Sequence, residues 1–152
     1  MIFNKSLKIF VASFIIINMI NGQNVDSLLL SKKYTVSIYQ GKIAPLQLIN
    51  KDGRHFRTVI KYGYKNGVNF SGHYCLIYWG CGSPCKQAVI VDVKTGRVCD
   101  WISACYEYIC KSNSRVLITD TIYESSSSFC IPKYYIFNEK KRKLELIKTK
   151  SH

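Results

Sequence analysis

Apolar and polar residues alternate along much of this chain, and the alternation breaks at Gly, Pro and polar clusters. A period of two marks half-buried strands. Residues 34–40 (YTVSIYQ) alternate and are β-branched, which predicts a strand; residues 44–50 (APLQLIN) predict a second, weakened by Pro45. Around residues 52–65 the period lengthens. Phe56, Val59, Ile60 and Gly63 or Tyr64 recur at helical spacing, with Asp52 as a candidate N-cap and Gly67 as a stop. One helix over about residues 52–65 is predicted, and Gly63 weakens it.

From Asn69 onward the pattern is β. Residues 73–80 (HYCLIYWG) place His73, Cys75, Ile77 and Trp79 on one face and Tyr74, Leu76 and Tyr78 on the other. Residues 87–93 (QAVIVDV) are apolar on both faces, as in a strand central to its sheet. Gly96 closes a short turn, and residues 97–102 (RVCDWI) return antiparallel. Residues 114–120 form another strand, residues 121–132 a polar loop, and KYYIFN and KLELIK flank EKKR as a last hairpin. The expected fold class is α+β, a mostly antiparallel β-meander with one helix near its start.

The first residues change the picture. Lys5 and Lys8 precede the apolar run Ile9 to Ile20, and a polar, small-residue stretch follows. This order predicts a secretory signal peptide over residues 1–22, and a periplasmic or secreted domain over residues 23–152. No later run approaches the length of a membrane span. Removing Lys5 and Lys8 lowers the formal net charge from +13 to +11. Such a charge attracts anionic polymers, and it also serves solubility. The basic run at residues 139–143 lacks interleaved aromatics, and export argues against nucleic acid as a specific partner. The expected partners are an anionic envelope polymer or another exported protein.

All seven cysteines (75, 81, 85, 99, 105, 110 and 130) follow the signal segment. In an oxidising compartment they predict disulfides with one thiol left over. Cys81 and Cys85 close a small loop through Gly82, Ser83 and Pro84, and a structural bridge there is the leading reading. Thiol exchange is the alternative, but the spacing is one residue longer than the thioredoxin type and no βαβ unit follows. A zinc or copper site on His73, Cys75, Cys81 and Cys85 is a further alternative. His73 is also the candidate catalytic base, with Ser71, Ser83, Asp92 and Asp100 near in sequence but not joined into a triad by any spacing.

N-F-S-G-H-Y (69–74), W-G-C-G-S-P-C (79–85) and I-V-D-V-K-T-G (90–96) stand in one order and spacing. They closely resemble the motifs of a family of small exported bacterial proteins of unknown function, whose members read N-F-A-G-H-Y, W-G-C-G-x-x-C and I-V-D-A-K-T-G. Phe56, Arg57 and Thr58 fit that family's preceding helix, so the resemblance spans Phe56 to Val98. Ser71 replaces the commoner Ala, and Cys75, Cys99, Cys105, Cys110 and Cys130 are additions of this chain. The resemblance implies a fold and a site but no reaction. The expected role is a non-catalytic binding or inhibitor-like module. Its candidate surface is His73, Tyr74 and Trp79 beside the Cys81–Cys85 turn, without a cofactor. A His73-dependent hydrolase, a thiol-exchange protein and a metal carrier are the alternatives.

Overall fold

The computed structural model describes residues 27–49, 51–121 and 130–147. The expected signal segment and most of the expected 121–132 loop lie outside the described residues. The fold is α+β and mostly β. Strands β1 (Tyr74–Gly82), β2 (Cys85–Asp92) and β3 (Val98–Ala104) form one antiparallel sheet in sequence order. Strands β4 (Tyr108–Cys110), β5 (Val116–Thr119), β6 (Lys133–Asn138) and β7 (Lys143–Leu146) form a second. The expected meander is present, divided between two sheets that pack face to face.

The predicted alternation of β1 sets this packing. Cys75 and Ile77, with Val89 and Val91 of β2, pack against the helical segment through Ile60 and Tyr64. Tyr74 and Leu76, with Ala88 and Ile90, pack against Leu117 and Phe137 of the second sheet. The far face of that second sheet is covered by the N-terminal segment, where Leu29 meets Val116 and Ile118. Helices, sheet, sheet and N-terminal strap therefore stack in layers, and β2 is the central strand of its sheet.

Three expectations need correction. The single helix is two, α1 (Lys51–His55) and α2 (Arg57–Tyr64), broken at Phe56 with φ −93° and ψ 19°. The Phe56 ring packs on Trp79 at 4.9 Å and faces Trp101 at 6.0 Å, and this docking accompanies the turn in the backbone. Asp52 lies inside α1 rather than capping it, and its carbonyl accepts from the Phe56 N–H at 3.0 Å. Gly67, at φ +73°, ends the helical segment as expected.

The second correction concerns residues 34–40 and 44–50, which form no strands among the described residues. Tyr34 closes a short 3-10 turn (Lys32–Tyr34), and the two segments cross the ends of the hairpins with single bridges at Thr35–Ser114 and Gln47–Arg97. Val36 N–H donates to Asn113, Tyr39 N–H to Gly72, Ala44 N–H to Val93 and Gln47 N–H to Gly96. Alternation reports one-sided burial, and here successive residues find different loops instead of one ladder. The third is β4, which no pattern announced; its three residues are too few to show a period.

Two glycines are fixed by close approach. A Cβ on Gly63 would run into the Ile77 side chain, so the residue that weakens α2 lets it lie on β1. Gly96 has φ +72°, and a Cβ there would collide with the Pro45 carbonyl. Gly96→Ala should therefore lower the unfolding free energy by about 2 kcal/mol. Denaturant unfolding measures this, and an unchanged midpoint would refute the packing described for this turn.

Candidate functional site

The motif residues stand at both ends of the β1–β2 hairpin and do mostly backbone work. In N-F-S-G-H-Y, Asn69 lies alongside β1 and treats Leu76 as a strand partner. Its Nδ2 donates to the Leu76 carbonyl at 2.9 Å, and its Oδ1 accepts from the Leu76 N–H at 2.7 Å. Phe70 is fully buried against Phe137. Ser71 (φ 44°) and Gly72 (φ 81°) then reverse the chain. Their N–H groups donate to Ser114 and Ser112, tying the turn to the second sheet's connection.

The I-V-D-V-K-T-G turn is built on Asp92. Its Oδ1 accepts from the Lys94 N–H and its Oδ2 from the Thr95 hydroxyl, both at 2.9 Å. This is a side chain satisfying turn donors that the sheet leaves over. At the opposite end, Cys81 and Cys85 are joined in a disulfide across the hairpin tip, as expected. That tip is exposed, and a Cβ on Gly80 or Gly82 would point into open space.

His73 sits at the Asp92 end. Its ring lies 4.2 Å from that of Tyr74, and Nε2 is 3.9 Å from Asp92 Oδ1. The side chain is 16% exposed. Burial holds its pKa below the usual 6.5, and Lys94 adds to this; Asp92 and Glu139 pull upward and Arg142 pushes down. Arg142, at φ 55° in the β6–β7 turn, brings Nη2 to 3.1 Å from Cys99 Sγ and 3.9 Å from Asp92 Oδ2. Nothing in the sequence joins Arg142 to this corner, because the contact depends on how the two sheets stack.

The expected surface is therefore divided. His73 lies in the turn just before β1, not on the strand as expected, and Trp79 stands near the strand's other end, about 20 Å away for six extended residues. Trp79 packs edge-on to Trp101 at 5.8 Å beneath Phe56, and Tyr74 is only 3% exposed. Both are packing groups; His73 alone of the three keeps a polar edge near solvent. The expected His73–Cys75–Cys81–Cys85 metal set is not brought together. Cys81 and Cys85 bond each other, while Cys75 is buried with its Sγ 3.7 Å from the Gly63 carbonyl. Among the described residues no three His, Cys, Asp or Glu side chains are placed to hold a metal ion.

The cysteine pairing also differs from expectation. Cys105 and Cys130 form a second disulfide, but Cys75, Cys99 and Cys110 are all unbridged, where one leftover thiol was expected. Cys75 is buried on the helix side of the first sheet, while Cys99 and Cys110 both pack against the cluster between the two sheets. Burial, with a smaller contribution from Cys110, pushes the Cys75 thiol to about 12, and burial alone pushes Cys110 to about 11. Thiols so poor in thiolate are inert at neutral pH.

The sequence also carries a basic repeat: Arg57 and Lys61 of α2 and Lys65, just past its end, recur every four residues. No family model, no curated protein and no solved structure matches this chain.

The depressed pKa of His73 has a sign that can be measured. The unfolded chain takes up a proton near pH 6.5 while the folded chain resists it, so stability falls as pH drops below about 6.5. Denaturant midpoints should decline between about pH 7 and pH 5 more steeply for the native chain than for His73→Gln. Parallel profiles would contradict the environment assigned to His73.

Proposed function

We propose that this chain is an exported binding domain, related to the family whose motifs it resembles, that engages an anionic partner of the cell envelope without covalent chemistry. One observation carries the reading: of the chemistry-bearing motif residues all but His73, namely Asn69, Asp92, Cys81 and Cys85, are engaged in holding backbone. His73 Nε2 stands 3.9 Å from Asp92 Oδ1, beyond hydrogen-bond distance, so the pair is not joined as a base and its orienting carboxylate. The two disulfides fit a chain matured in an oxidising compartment. The net charge fits an anionic partner.

A His-dependent hydrolase is the second reading, favoured by the 3.9 Å approach of His73 to Asp92. Sedimentation with isolated envelope material separates the two. The exported chain and His73→Gln should both co-sediment at low salt and both be released as salt is raised. A chain that stays in the supernatant at low salt would overturn the binding reading. Loss of binding by a folded His73→Gln variant would move the site to His73.

A further inference from the structure

The outer side of α2 combines cations and an exposed ring in one place. Arg57, Lys61 and Lys65 stand at i, i+4 and i+8, a stripe about 12 Å long on one side of the helical segment. All three are exposed, and among the described residues none has an acidic partner within ion-pair distance. Tyr62 stands beside them at 76% exposed. A shallow open trough is lined by Arg57, Thr58, Lys61, Tyr62 and Lys65. An apolar depression formed with His55, Phe56 and Val59 continues it past the same tyrosine.

The opposite side of the helix decides which anionic partner fits. Ile60 and Tyr64 are buried in the core, and Gly63 is pressed against Ile77. A helix that lies in a lipid surface needs its apolar face for the acyl chains. Here that face is already occupied by β1, so the helix offers its cations, the Tyr62 ring and the shallow depression beside it, but no apolar stripe long enough to lie among acyl chains. A flat ring between positive charges suits a chain of pyranose rings bearing acidic groups. The sugar's C–H face packs on the aromatic ring while its carboxylates meet the cations, and the hydroxyls stay in water.

We infer that the Arg57–Lys61–Lys65 stripe with Tyr62 is the docking surface for an acidic polysaccharide. The inference rests on the binding-domain reading and gives it a site and a ligand class. Titrations of the exported chain with polygalacturonate, uncharged dextran, poly-L-glutamate and phosphatidylglycerol vesicles test it. Polygalacturonate should bind more tightly than dextran, and its affinity should fall as salt screens the stripe. Arg57→Ala, Lys61→Ala and Lys65→Ala together should weaken binding about tenfold or more, as expected for three exposed charge contacts. Tyr62→Ala should weaken polygalacturonate binding several-fold and leave poly-L-glutamate unchanged.

Because these side chains are exposed, the unfolding midpoints of the variants should match the native chain, which checks that the fold is intact. Unchanged polygalacturonate binding by the folded triple variant would overturn the inference. So would an equal effect of Tyr62→Ala on the polypeptide, or tighter binding to the vesicles. A triple variant that still co-sediments with envelope material would sink this site and leave the binding-domain reading standing. A native chain that does not co-sediment would sink that reading itself.

Discussion

The fold depends on a hairpin that is apolar on both of its faces. β1 and β2 bury Cys75, Ile77, Val89 and Val91 toward the helices and Tyr74, Leu76, Ala88 and Ile90 toward the second sheet. Each large aliphatic side chain buried in this way contributes about 1.5–3 kcal/mol, so a few of them rival the net stability of a whole domain. Two-sided burial removes a safeguard, however. In an ordinary half-buried strand, a slip of one residue turns apolar groups to water, and the register is held by that penalty. In β1 a slip exchanges one apolar set for another.

The motif residues make sense as answers to that problem. Asn69 grips both backbone groups of Leu76 from the side, and a slipped strand would present it with the wrong residue. The Asp92 turn fixes where β2 ends, with Gly96 packed under the Pro45 carbonyl. The Cys81–Cys85 bridge fixes where β1 hands over to β2. Gly, Asn, Asp and Cys therefore gather on one hairpin because the hairpin has three places to be pinned. The outer side of α2 is a surface the core leaves exposed, and there charge and an aromatic ring coincide.

Much of the fold was legible because alternation survives in β1, β3 and the last hairpin, while the unbroken apolar run of β2 marked it as the central strand. The two faces of β1 were assigned correctly from alternation alone. The division into two sheets was not legible, since it depends on which apolar face meets which, and alternation says only that a face is buried. Tyr34–Gln40 misled for the same reason: Tyr39 is packed on the core but bonds to a loop carbonyl. At the site, the disulfide was visible in the spacing of Cys81 and Cys85. The corner joining His73, Asp92, Cys99 and Arg142 was not, because Arg142 reaches it only through the stacking of the sheets. The packing of Phe56 on Trp79, a contact across 23 residues of sequence, was not legible either.

If the motif pins the register, releasing the pins should loosen β1 before the rest of the domain. Native-state amide exchange on a variant carrying Asn69→Ala, Cys81→Ser and Cys85→Ser tests this directly. The account predicts that Leu76 and Ile77 lose protection through an opening smaller than global unfolding, while amides donated between β2 and β3 keep theirs. Retained protection of β1 in that variant, or a uniform fall across both sheets, would contradict it.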